Sequence, residues 1–292
     1  MTWVNAVVQG VLLGAVYALF ACGLSLMVGV MRIINLAHGD IAVIGAYLVW
    51  VIAERAHVSP FLALIAALPV MLVVGHFLYI ALISRSLRGG PLVPLLTTFG
   101  LAIVIQNALQ QLFSPDVRSL GAAAGAITTA SWRVTGALAI SWFGILILVV
   151  AVLVLGGLEL FLRRTGLGRE LRATAQDPDA ARLVGIDARA VYARATAIAV
   201  ATAALAGAFL AIRSTFEPAS GPTQLLYAFE AVVIGGFGSL WGTLLGGIVL
   251  GVAQTLGARI DPQYSILAGH LVFLAVLASP RGRSLAARST WT

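Results

Sequence analysis

Gly235-Gly236-Phe237-Gly238-Ser239 interrupts an otherwise apolar stretch running over 222–257. Whether that stretch is one helix or two decides the topology of the chain. As one helix it would run about 50 Å at about 1.5 Å per residue, far beyond a bilayer core of about 30 Å. The clustered glycines supply a breaking point, because they adopt backbone conformations that end a helix. The arginines test the break. With two short segments here, nine crossings or partial crossings and the N-terminus outside, thirteen arginines fall inside (Arg32, Arg85, Arg88, seven between 163 and 194, Arg281, Arg283 and Arg288). Five fall outside: Arg55, Arg118, Arg133, Arg213 and Arg259. An unbroken stretch gives 10 against 8. The positive-inside bias therefore favours two segments, each unusually short, and a cytoplasmic C-terminus.

Outward from that point, further apolar runs lie near 5–31, 37–54, 60–83, 92–113, 142–162, 195–213 and 264–279. The 292 residues are 60% hydrophobic and 10% charged, with a mean hydropathy of +1.01. A soluble domain carries about 25% charged residues. These figures predict an all-α, polytopic helical membrane protein with 8–9 spans, built as a single transmembrane domain over 1–292. The alternating ten-residue segments of a membrane barrel are not visible. The excess of 18 basic over 11 acidic residues is read as a topology signal and not as a nucleic-acid surface. The chain contains no lysine, which excludes a P-loop whose lysine reaches nucleotide phosphates. Any ATP hydrolysis would belong to another subunit. Cys22 reads as a small packing residue. Met1-Thr2-Trp3-Val4-Asn5 lacks a basic leader, so the first span is expected to be retained. Segment 114–141 reads as the largest external loop, with Trp132 and Trp142 as interfacial anchors.

The polar stretch from Arg163 to Arg194 stands out from these oily surroundings. Asp177 suits a helix N-cap, Pro178 the first helical position and Asp179 the first turn. Ala180, Ala181, Arg182, Leu183 and Val184 continue the helix, and Gly185 before Ile186 offers its stop. One short helix lying along the cytoplasmic surface is expected, flanked by Arg169, Arg172, Arg182 and Arg189. It is either a coupling helix seated in a partner's groove or a solvated linker touching lipid headgroups. The cap at one end and terminator at the other tilt the reading toward docking.

Within the membrane, Asn35, His38, Gly39 and Asp40 lie between the first two spans. Such groups are costly there unless paired or wet. They fit a gate, part of a solute pathway, or simply a helix cap and turn. Thr97, Thr98, Gln106 and Asn107 in the fourth span and Glu230 in the seventh are further pathway candidates, as are Gly235, Gly236 and Gly238 at the break. HExxH is absent, and no metal, cofactor or catalytic residue is expected. Small residues at a spacing of four (Gly10, Gly14, Ala18 and Cys22; Gly238, Gly242 and Gly246; Gly247 and Gly251) mark faces where helices approach closely.

Several stretches together resemble the permease subunits of branched-chain amino-acid ABC importers over essentially the whole chain. They are Gly14-Ala15-Val16-Tyr17-Ala18-Leu19, Ile34-Asn35-Leu36-Ala37-His38-Gly39-Asp40, Gly45-Ala46-Tyr47, Thr165-Gly166-Leu167-Gly168-Arg169, Arg172-Ala173-Thr174-Ala175-Gln176-Asp177, Ala180-Ala181-Arg182-Leu183-Val184-Gly185-Ile186, and Gly235 to Ser239 with Gly242. The resemblance implies a type II-like importer permease in the inner membrane. It would pair with a second permease (a copy or a paralogue), two cytoplasmic ATPase subunits and an extracytoplasmic solute-binding protein. The polar loop would then be the segment the ATPases push and pull. The family often carries an apolar or hydroxyl residue near Glu230, so the charge is a departure that bears on the solute. Related permeases carry urea, short amides or simple sugars. Two rivals from other classes are an ion-coupled secondary transporter using Glu230 and an intramembrane enzyme using His38 and Asp40.

Overall fold

The computed structural model describes residues 3–90, 92–135 and 138–279. The C-terminal arginines Arg281, Arg283 and Arg288 lie outside the described residues, and so does the expected cytoplasmic C-terminus. The architecture is a helical bundle: α1 (Trp3–Met31), α2 (His38–Ala56), α3 (Pro60–Leu78, continued by a π turn at Tyr79–Ile83), α4 (Val93–Phe113), α5 (Trp142–Arg164), α6 (Gly166–Gln176), α7 (Pro178–Leu183), α8 (Ala188–Arg213), α9 (Gly221–Gly235), α10 (Leu240–Ile260) and α11 (Tyr264–Ala278). Six of these, namely α1, α3, α4, α5, α8 and α10, are long and apolar enough to cross a membrane. The other expected spans are α2 and the 15-residue α9 and α11. At about 1.5 Å per residue, α9 and α11 reach about 22 Å, short of a full hydrocarbon core.

The break falls where expected. Gly236 and Gly238 adopt φ values of 91° and 74°, which only glycine takes without strain. Ser239 then caps α10 by accepting from Gly242 N at 3.1 Å. The result is a tight hairpin of α9 and α10, closed where Gly235 faces Gly242 and Ala231 faces Gly246. A Cβ on Gly235 would lie 2.1 Å from the Gly242 carbonyl oxygen.

The small-residue stripes form the centre of the bundle. Gly10 and Gly14 of α1 meet Gly251 and Gly247 of α10 in antiparallel order, and a Cβ on Gly14 would lie 2.5 Å from the Gly247 oxygen. Backbones can pack this closely only when side chains are absent, and in a membrane such van der Waals contact is a principal source of helix association. The alanine-rich α8 plays the same part on the other side, where Ala204 meets Gly45 and Gly207 meets Ala42 of α2. α1 and α8 are mostly buried, while α3, α4, α5 and α11 leave apolar residues such as Phe77, Leu96, Leu153 and Leu271 exposed.

Contacts sort the connections to two ends. Gly29 near the end of α1 approaches Gly238, and Arg32 donates to Ala175 O at 3.0 Å. Tyr79 of α3 stacks edge-on with Tyr192 of α8. The α9–α10 turn thus shares an end with residues 163–187. At the opposite end Tyr47 packs against Phe113 and Phe216, and Arg118 pairs with Phe216 through a backbone bridge. The described residues of 114–141 include regular structure. They carry a 3-10 turn and a hairpin of Ser131–Thr135 with Leu138–Ser141, and Trp132 stacks on Trp142.

Candidate functional site

Two groups of residues hold the chemistry: the loop between α5 and α8, and buried polar residues within the bundle.

In the loop, Asp177 Oδ1 accepts from Asp179 N and Ala180 N at 2.9 and 3.0 Å, with Pro178 leading the helix. At the other end Gly185, at φ 86°, donates to Arg182 O, and Ile186 N donates to Ala181 O. This paired five-back and three-back pattern ends a helix by satisfying its last carbonyls. Between these caps α7 presents an Arg182–Asp179 ion pair at 3.3 Å. It also presents two apolar side chains, Leu183 and Val184, which are 89% and 77% exposed. Ala181 is buried and anchors the turn.

Sequence reasoning missed α6. Its signal was present: Thr165 accepts from Gly168 N at 3.0 Å as an N-cap, and Gly168, Leu171 and Thr174 fall at helical spacing on the buried face. α6 ties the loop to the bundle. Arg32 reaches its C-terminal carbonyl at Ala175, and Glu170 pairs with Arg194 of α8 at 3.0 Å. α8 itself starts at Ala188 behind the Asp187 cap, so the helix extends beyond the expected 195–213 into the polar region.

Inside the bundle, α2 does not start at the end of α1 but well back along it. His38 Nε2 lies 2.9 Å from Phe20 O, and Leu36 N donates to Thr98 Oγ1 of α4 at 3.1 Å. Asn35 Oδ1 accepts from Ala37 N at 3.0 Å, which organises the turn. Gly39 and Asp40 then meet Gly221, the first residue of α9. Two helix N-termini therefore converge inside the apolar bundle. Asp40 stands in the first turn of one, near the positive end of the helix dipole and close to Gln106 of α4, and its Oδ1 has no hydrogen-bond partner among the described residues. Asn35, His38, Gly39, Asp40, Thr98 and Gln106 are thus brought together. Thr97 and Asn107 bond back to carbonyls of their own helix, at Val93 and Ile103, and do not join them.

Glu230 belongs to a different group. It is 1% exposed and its Oε1 pairs with His270 Nδ1 of α11. Beside it, the Tyr17 hydroxyl donates to Gln254 Oε1 at 2.6 Å, and the Tyr17 and Tyr227 rings lie 4.8 Å apart. Glu230 Oε2 and Gln254 Nε2 have no hydrogen-bond partner among the described residues. This seam joins α1, α9, α10 and α11. His270, Tyr227 and Gln254 were not anticipated. An ionisable residue within the apolar run 264–279 was the available signal for His270. Among the described residues, no group of three or more His, Cys, Asp or Glu could hold a metal ion.

Residues 6–277 match the family model described as the permease component of branched-chain amino acid transport systems. The chain belongs to that family. The permease is 33% identical over 294 residues to the high-affinity branched-chain amino acid transport system permease protein BraD of Pseudomonas aeruginosa, covering 96% of this chain and 95% of that one. It is 30% identical to LivH, a permease protein named in the same terms from Escherichia coli strain K12, covering 94% and 92%. LivM from that strain is 26% identical, covering 91% of this permease and 67% of its own length. The permease is an integral membrane protein. Its relatives are transport subunits, and its own role is that of a transport subunit.

Proposed function

We propose that this permease carries branched-chain or other hydrophobic amino acids inward across the cell membrane as the transmembrane subunit of an ATP-binding-cassette importer. The N-terminus lies outside and residues 163–194 lie in the cytosol. A second permease subunit, two ATPase subunits and an extracytoplasmic solute-binding protein complete the assembly. The observation that carries the reading is α7: a helix capped at both ends that holds Leu183 and Val184 out into solvent. Isolated exposed apolar residues are common, but two together at the tip of an otherwise charged loop fit a partner's groove. α6 lies between that tip and the bundle, linked to α1 through Arg32 and to α8 through Glu170 and Arg194. A push on α7 would reach the helices that flank the α9–α10 break, where the short helices can rock to alternate access. Arg182, Asp179 and the Gly185 turn set the helix's presentation, and the groups around Asp40 and Glu230 line or gate the solute path.

Replacing Leu183 and Val184 by Asp tests the reading in proteoliposomes holding the full importer. ATP-driven uptake of leucine should fall by about tenfold or more, the loss of a central apolar contact at an interface, while the protein remains in the membrane. Unchanged uptake and unchanged ATPase stimulation would refute the docking role.

One observation favours a second reading. The buried Glu230–His270 pair is what an ion-coupled carrier would use to exchange protons. Uptake that survives removal of the ATPases and collapses with the proton gradient would support it.

A further inference from the structure

A cavity of about 280 Å³ opens at the loop end of the bundle, between α1, α5, α6 and the α9–α10 turn. Its polar lining is Ser25, Glu159, Arg163 and Arg172, and its apolar walls include Leu26 and Leu171. Three features indicate an occupant. Ser25 is 1% exposed, yet its hydroxyl has no partner among the described residues. Burying a hydroxyl with nothing to bond is unfavourable, and a ligand or water inside the cavity would satisfy it. Arg163 uses its Nε on Glu159 Oε1 at 2.6 Å, and the described hydrogen bonds leave its terminal nitrogens free. Arg172 makes no hydrogen bond or ion pair among the described residues. Together the two guanidiniums exceed the single carboxylate by one positive charge, at a mouth beside α5, whose residues Val152, Leu153 and Leu160 are exposed.

We infer that this cavity binds the phosphodiester headgroup of an anionic phospholipid. The acyl chains would lie along α5 and the phosphate would sit between Arg163, Arg172 and the Ser25 hydroxyl. Phosphate suits this lining because guanidinium forks match its oxygens. Basic pockets between helices at a membrane surface recognise such headgroups. The apolar walls and the exposed flank of α5 select a lipid over free phosphate. The site also touches Gly29 and Gly238, the close approach of α1 to the helix break. A bound lipid would therefore bridge the loop and the break and hold them in this arrangement. Such binding is independent of which solute the permease carries.

The test uses the full-length permease purified in detergent and stripped of lipid. Thermal stability is followed while short-chain phosphatidylglycerol, phosphatidylcholine or inorganic phosphate is titrated in. Phosphatidylglycerol should raise the melting temperature saturably, and the other two should not. Arg172→Gln, which breaks no hydrogen bond or ion pair among the described residues, should weaken the apparent affinity about fivefold, the loss of one arginine's attraction to an anionic headgroup. Ser25→Val, which keeps both arginines and removes the hydroxyl, should weaken it as well. Arg88→Gln, a surface arginine outside the cavity, should leave it unchanged. An equal shift with phosphatidylcholine, an equal shift with inorganic phosphate, or an unaltered response in both Arg172→Gln and Ser25→Val would each overturn the assignment.

Discussion

The loop around α7 and the seam around Glu230 hold polar residues under opposite conditions. In the loop the charges are exposed: the Arg182 and Asp179 side chains are 66% and 90% accessible, and each helix end is satisfied by residues a few positions away. In the seam, Glu230 is paired with His270, forty positions distant, and Tyr17 with Gln254, 237 positions distant. Water screens the first set, so its ion pair adds little and its caps set local shape. Apolar surroundings raise the stakes for the second, where an unpaired group has no solvent to turn to. The loop should therefore tolerate change with little cost to folding, whereas changes to the seam and the glycine packing around it should cost the bundle most.

The largest loss should come from Gly247→Leu, which drives a side chain into α1, where even a Cβ would lie 2.6 Å from Gly14 O. We expect a cost of about 3 kcal/mol or more from overpacking, seen as lost monodisperse protein in size-exclusion chromatography. A normal elution profile and melting temperature would show that α1 and α10 are not locked as described. Next come Glu230→Gln and His270→Ala, singly and together. Their double-mutant cycle in thermal unfolding should give a coupling of about 0.6–1.7 kcal/mol, the range of polar pairs between membrane helices. A coupling of zero would mean the pair contributes no binding between α9 and α11. Asp177→Ala follows, with a loss of about 1 kcal/mol confined to α7. The amides of Asp179 and Ala180 should exchange about fivefold faster with deuterium, while global melting stays put. Protection that does not change would remove Asp177 as the cap. Smallest is charge reversal across Arg182 and Asp179. An exposed pair at this spacing contributes about 0.5 kcal/mol or less, so stability should be unaltered. Any fall in ATPase stimulation would then report docking rather than unfolding.

The two regions also differ in how far they could be read in the sequence. The α7 boundaries were legible because Asp177, Pro178 and Gly185 act on backbone groups within three or four residues. The break at Gly236 to Ser239 was legible for the same reason, reinforced by the arginine distribution. The glycine stripes pointed to close packing, but not to which helix met which. The polar composition of α6 hides it among loop residues, although Thr165 and Leu171 announce it. Glu230 was recognised as unusual without its partner. The fine structure of 114–141, with its hairpin, was not visible behind its small and polar residues.

Chain chemistry alone therefore determined that this is a helical membrane protein, where its apolar segments lie, where the long stretch breaks and where the short helix of the polar loop is capped. Those properties follow from the solvent each segment needs and from hydrogen bonds closed within a few residues. Only the tertiary structure decided that Asp40 faces Gly221, that His270 answers Glu230, that α1 and α10 share their glycines, and that Ser25 opens into a cavity beside Arg172. Each of these is a meeting of positions far apart in sequence. It is settled by which backbones can approach closely enough to exclude lipid, and no local pattern encodes that.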